Sequence, residues 1–265
     1  MTLLQAIIIA IVEGITEFLP ISSTGHMIIA QALLGVEPNP FVKAFTVIIQ
    51  FGAITSVLFL YWKRFFQSID FYYKLFVAFI PAAVMGLLFG ELIDDMLEQV
   101  DIVAISLMLG GWILIFSDKW FAQNKEKEEQ PTTYKNAFFV GLFQCIALIP
   151  GVSRSAATMI GGMVNGWSRK QAAEFSFFLA VPTMFAASAK KTYDAVNNNF
   201  ESITGNWHVI LLGSFVAAVV AWISIKYLMM VLQNKGFAYF GWYRVILGAT
   251  ILGLLMARVP LEIVD

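Results

Sequence analysis

Apolar residues run along this chain in long blocks, with polar residues gathered between them. Six blocks, roughly 44–62, 71–91, 102–120, 172–191, 207–230 and 237–257, are nearly free of charge. Each approaches the ~20 residues an α-helix needs to cross a bilayer's hydrocarbon core. That core offers no water to an open backbone, so helices are expected throughout. Aromatic side chains mark many block ends: Tyr61 and Trp62, Phe71 to Tyr73, Trp120 and Phe121, Trp207, and Tyr239 with Trp242 and Tyr243. Trp and Tyr favour the headgroup layer, which fits a stack of membrane spans.

Two more apolar blocks, 3–35 and 134–166, are broken in the middle. The first is interrupted by Leu19-Pro20-Ile21-Ser22-Ser23-Thr24-Gly25-His26, the second by Pro150-Gly151-Val152-Ser153-Arg154-Ser155. Proline, glycine and hydroxyl residues end helices. Each flank is about half a membrane thick, so both blocks are expected to be re-entrant helix–loop–helix hairpins. Irregular backbone at that depth is tolerated only where protein or a water-filled cavity surrounds it.

Composition strengthens the membrane reading. The chain is 59% hydrophobic and 13% charged, about half the charge of a soluble domain. A net charge of −1 gives no basic field for nucleic acid. The single cysteine, Cys145, excludes an intramolecular disulfide framework. Met1–Val12 lacks a basic start and a small-x-small cleavage pattern, so it is read as mature structure.

Loop charges set a topology. Lys63, Arg64, Lys74, Lys119, Lys125, Lys127, Lys135, Arg169, Lys170, Lys226 and Lys235 fall on one side if the spans alternate, and that side is assigned to the cytoplasm. Glu91, Asp94, Asp95, Glu98, Asp101, Glu201, Glu262 and Asp265 fall on the other. Both termini are then outside, and the first hairpin opens outward. The chain reads as one transmembrane domain of two pseudo-repeats, about 1–124 and 134–265, joined by a cytoplasmic loop. Three spans per half is odd, so the halves insert inverted. This is the plan in which a site forms where broken helices meet near the midplane.

The chemistry-bearing residues lie in the two interruptions. Glu13 and Glu17 are four apart, one turn along a helix face. Ionised carboxylates at membrane depth need a partner. They read as ligands of a hard divalent cation, Mg²⁺ or Ca²⁺, or as an acid/base pair. The blander alternative places both in headgroup water. Ser22, Ser23, Thr24 and His26 follow. Hydroxyls there could merely cap a helix, but an imidazole beside them could move a proton. In the second interruption Arg154 sits at the costliest depth for a cation. Its guanidinium suits phosphate oxygens, with Gly151 and the following helix N-terminus offering N–H groups. Alternatively Arg154 is the counter-ion of Glu13 or Glu17. Glu174 and Gln50 are candidate cavity residues with equally good structural roles, and His208 is assigned to the interface.

The two motifs, Glu13-Gly14-Ile15-Thr16-Glu17-Phe18-Leu19-Pro20-Ile21-Ser22-Ser23-Thr24-Gly25-His26 and Pro150-Gly151-Val152-Ser153-Arg154-Ser155-Ala156-Ala157-Thr158, resemble those of the bacterial undecaprenyl-diphosphate phosphatase family. These are integral-membrane enzymes linked to bacitracin resistance. The resemblance extends over the chain in length, span count and motif order. It implies hydrolysis of a polyprenyl diphosphate, a divalent cation and a site reached from the outer face of the cytoplasmic membrane. Partners would be the lipid substrate, membrane lipids and a second copy in a homodimer. On this reading Glu13 and Glu17 hold the metal. Arg154, Ser153, Ser155 and Thr158 clamp the anion. Ser23 is the nucleophile, with His26 as its acid/base partner. A second version has His26 attack or activate water while Ser22, Ser23 and Thr24 only bind. A rival of another class is a transporter of the lipid phosphate, which needs the clamp but no nucleophile.

Overall fold

The computed structural model describes residues 1–37, 39–66, 68–97, 99–124, 129–259 and 261. Within these the chain is helical, without strands. The charges expected at Glu98, Lys125, Lys127, Glu262 and Asp265 lie outside the described residues, as does the Glu201 side chain.

Six helices are long and apolar enough to cross a membrane: α3 (Pro40–Leu60), α4 (Ile69–Leu88), α6 (Val100–Trp120), the Arg169–Lys190 part of α9 (Arg169–Gly205), α10 (Trp207–Asn234) and α11 (Ala238–Met256). They coincide with the six apolar blocks, with local differences. α3 starts earlier because Asn39 accepts the Val42 amide at 3.0 Å and Pro40 occupies the first turn. α9 runs on past the apolar block to Gly205. A short helix, α5 (Gly90–Leu97), gathers Glu91, Asp94 and Asp95 after α4.

The two interrupted blocks form two pairs of short helices. α1 (Leu3–Thr16) and α2 (Ser23–Leu34) have 14 and 12 residues; α7 (Tyr134–Ile146) and α8 (Arg154–Val164) have 13 and 11. At 1.5 Å per residue none spans the ~30 Å core. Their outer starts are capped by side chains. Thr2 and Gln5 form a capping box, and Thr133 accepts the Asn136 amide.

Within each pair the helices pack together; α1 also packs on α10, and α7 on α4. α3 lies against α9 and α10, while α6 and α11 form the tightest pair. A Cβ on Gly111 would lie 2.7 Å from Gly241 O, and one on Gly241 2.6 Å from Gly111 O. Small residues there let the two backbones touch, the usual source of helix association in lipid. This contact fixes α11 against α6. The main core cluster takes in the first loop itself: Phe18, Leu19 and Ile21 are buried together with Phe177, Met159 and Trp167. The irregular backbone is therefore enclosed by protein, the condition that irregular backbone at membrane depth would have to meet.

Candidate active site

The first loop, residues 17–22, begins where α1 runs into Pro20, which lacks an N–H. It ends at Ser22, whose φ of 69° and ψ of 108° are unusual for a residue with a side chain. Such a conformation costs roughly 1–3 kcal/mol and persists only when its surroundings impose it. His26 imposes it from one turn into α2. Its Nδ1 lies 2.7 Å from Ser22 O, and its Nε2 lies 2.7 Å from the Tyr243 hydroxyl, the two rings stacking at 5.4 Å.

The second loop, residues 147–153, solves a similar bend with Gly151 at φ +87°. Ser153 then caps α8, its Oγ accepting the Ala156 amide at 3.2 Å. Ser155 donates to Leu19 O at 2.9 Å, so the second loop is stitched directly to the first. Thr158 Oγ donates to Arg154 O at 2.9 Å and lies 2.6 Å from Ser176 Oγ.

Arg154 and Glu17 join the loops. Arg154 Nη2 donates to Glu17 Oε1 at 2.9 Å, and Ser23 Oγ donates to Glu17 Oε2 at 2.9 Å. The Glu17 and Arg154 side chains are 9% and 12% exposed, enough to meet a small ligand yet shielded from bulk water. Arg154 also donates to Ser176 O at 3.2 Å and lies 5.6 Å from the Phe18 ring centroid. A pair this buried adds little stability, because desolvation offsets the attraction. It does keep a charged, hydrogen-bonding centre inside apolar surroundings.

That centre opens on a cavity of about 150 Å³ lined by Glu17, Ser22, Ser23, Thr24, Ser153 and Arg154, with Gln50, Ala147, Val152 and Met184 completing the wall. The first turns of α2 and α8 both border it. Helix N-termini favour anions, so two of them with a guanidinium suit a phosphate. A larger cavity of about 260 Å³ includes Arg64, Asp70, Lys74, Glu129 and Glu174. Its charges already pair with one another: Arg64 with Glu129 and Glu174, Lys74 with Asp70. Its hydroxyls are Ser68 and Thr132, not those of the two loops, and Glu174 belongs to it rather than to the site.

A match to a family model decides the kinship. The model described as bacitracin resistance protein BacA matches residues 6–250. The chain belongs to this family. A protein of Flavobacterium johnsoniae, named undecaprenyl-diphosphatase, is 52% identical over 265 residues, 100% of both chains. One of Bdellovibrio bacteriovorus with the same name is 52% identical over 266 residues, again 100% of both. One of Aquifex aeolicus is 43% identical over 252 residues, 94% of this chain and 96% of that one.

Within this BacA-family chain the expected residues sort into three groups. Glu17, Ser22, Ser23, Thr24, Ser153 and Arg154 line one cavity. Ser155 and Thr158 are 0% and 1% exposed and hold loop and helix backbones instead. Gly151 supplies its bend, and its carbonyl accepts from Arg244 at 3.1 Å. The third group is Glu13 and His26. Glu13 is 1% exposed and is not among the residues lining the cavity. His26 hydrogen-bonds Ser22 O and Tyr243; among the described residues no hydrogen bond joins it to Ser23.

The family resemblance calls for a divalent cation. No group of three or more His, Cys, Asp or Glu suited to a metal occurs among the described residues. A cage made only of such side chains is therefore not what the site offers. Its oxygens are those of one carboxylate, four hydroxyls and the Gln50 amide. Hard oxygens of this kind fit Mg²⁺ or Ca²⁺ held jointly with a substrate's phosphates.

Arg244 and Tyr243 were missed by sequence reasoning. Arg244 lies within an apolar block and is 0% exposed. An arginine inside a span is itself a functional signal, here masked by the aromatic cluster around it.

Proposed function

We propose that the chain hydrolyses undecaprenyl diphosphate to undecaprenyl phosphate and inorganic phosphate in the Glu17–Arg154 cavity. The observation that carries this is the Glu17 carboxylate shared between the Arg154 guanidinium and the Ser23 hydroxyl, 2.9 Å from each. The relatives' name, undecaprenyl-diphosphatase, agrees.

The hydroxyl proton of Ser23 passes to Glu17 Oε2 as Ser23 Oγ attacks the terminal phosphorus. The bond between that phosphorus and the bridging oxygen breaks, and undecaprenyl phosphate leaves. Water then attacks the phosphoserine and the P–Oγ bond breaks; Glu17 Oε2 returns its proton to Ser23 Oγ, the water's proton leaves with the phosphate or to solvent, and inorganic phosphate is released. Arg154 and the first turns of α2 and α8 hold the phosphoryl oxygens as charge shifts between them. Glu17, Gln50 and the neighbouring hydroxyls would hold a divalent cation, whose chemistry is Lewis-acid neutralisation of phosphate charge. Glu17 thus replaces His26 as the base for Ser23, because it is the group in contact.

In the membrane, the α1–α2 and α7–α8 pairs are re-entrant hairpins of two inverted halves, with both termini outside and the cavity open to the outer face. The packing supports this reading. Exchanging the halves maps α1 on α10 onto α7 on α4, and both contacts occur. The test is phosphate release from undecaprenyl diphosphate by purified protein, with and without a chelator. Release that falls on chelation and returns with Mg²⁺ or Ca²⁺ is expected. No release under any metal condition would overturn the reaction and favour transport of the lipid phosphate.

A further inference from the structure

We infer that Tyr243 and Arg244, adjacent on α11, are positioning residues that set the two active-site loops relative to each other. The inference rests on the reaction proposed above for what the loops do, but its geometry stands apart from it.

Arg244 is buried and reaches four backbone carbonyls. Nη1 donates to Pro20 O at 3.3 Å in the first loop, and Nη2 donates to Gly151 O at 3.1 Å in the second. Nη2 also donates to Ser106 O and Nε to Leu107 O, each at 3.3 Å, in α6. One guanidinium thus ties both loops to the α6–α11 pair. Loops in hydrocarbon cannot turn their carbonyls to water, and the rigid fork of arginine serves several at fixed angles. Lysine, with one nitrogen, cannot match that arrangement.

Tyr243 acts on the first loop through His26. Ser22 O can only accept, so His26 Nδ1 carries the proton. With the ring neutral, Nε2 accepts from the Tyr243 hydroxyl. The chain of contacts runs from α11 through Tyr243 and His26 to Ser22, the strained residue before Ser23. Neither α11 residue lines the cavity, so both act through the backbone that carries Ser23 and Arg154. A displacement of ~1 Å at reacting groups can cost on the order of a hundredfold in rate.

Gly110 gives a way to test this without changing either residue. A Cβ there would collide with Arg244 Nη2, pushing the guanidinium off its carbonyls. Gly213→Ala is the stability control, since its Cβ would meet the Phe45 ring at 2.6 Å, between α10 and α3. The full chain and its Arg244→Lys, Gly110→Ala, Tyr243→Phe and Gly213→Ala variants are compared in lipid nanodiscs. The readouts are phosphate release, thermal midpoint and amide hydrogen exchange at residues 21–24 and 151–154. For Arg244→Lys and Gly110→Ala, kcat falls about tenfold or more with KM within about threefold, and loop exchange quickens. Tyr243→Phe quickens exchange at 21–24 only. Gly213→Ala lowers the midpoint but keeps kcat and loop exchange near wild type. Should Arg244→Lys fail to fold, Gly110→Ala decides. Unchanged loop exchange in Gly110→Ala, or kcat losses that follow the thermal midpoint in every variant, would overturn the inference. A wild type that releases no phosphate would instead sink the proposed reaction, leaving the exchange result to judge the bracing.

Discussion

The two loops meet similar steric demands by different means. At the second, Gly151 adopts its positive φ without a side chain to obstruct it, and Ser153 caps the helix that follows. At the first, Ser22 holds a conformation poor for any side chain, and α2 begins without a side-chain cap. The first loop keeps a hydroxyl where glycine would be easier, and leaves a helix N-terminus unsatisfied by its own cap. Both choices cost stability and put polar groups on the cavity wall. The second loop, by contrast, is followed by a helix with its own side-chain cap, and Arg154 at that helix's start reaches across to Glu17. The lesson is a division of labour: strain collects beside Ser23, the proposed nucleophile, and regular packing collects around Arg154, the proposed anion clamp.

The comparison breaks most sharply at Arg154, the group that crosses between the loops. Arg154→Ala leaves the buried Glu17 carboxylate without its cation and the anion without its clamp. Phosphate release is expected to fall by about a thousandfold. A loss under tenfold would mean that the loops work separately. The next effect is at Gly151. Gly151→Ala must take up φ +87°, and its Cβ would strike Val103 O. The expected cost is about 2 kcal/mol of stability, read as a lowered thermal midpoint, with phosphate release falling alongside. Ser22→Gly sharpens the contrast from the other side and has the smallest effect. Relief of strain should add about 1 kcal/mol and raise the thermal midpoint, while turnover falls for want of a cavity hydroxyl. An unchanged or lower midpoint would show that Ser22 is not strained.

Much of this was legible in the sequence, for reasons particular residues make clear. The six spans could be read because lipid imposes one length and one polarity on each, and only the ends shifted, as with the Asn39–Pro40 cap. The broken blocks could be read because Pro20, Gly151 and the serines have no other use in an apolar helix. The Glu17–Arg154 pair was foreseen as one of two options, since a buried cation must find an anion. The carboxylate that meets Ser23 could not be chosen from spacing alone. Glu13 and Glu17 share a helix face, and only the turn after Thr16 brings Glu17 to the cavity. The position of His26 depends on Tyr243, 217 residues away, a separation that no local pattern encodes. Arg244 went unread for the same reason: its four carbonyl partners come from three separate stretches of chain.

The central claim is that Glu17 acts through Ser23. A double-mutant cycle on kcat, with Glu17→Gln, Ser23→Ala and the pair combined, tests it most directly. If carboxylate and hydroxyl form one working unit, each single change lowers kcat by about a hundredfold or more, and the double variant is no slower than the worse single. Losses that multiply in the double variant, or a Ser23→Ala enzyme that turns over at near-normal rate, would contradict it.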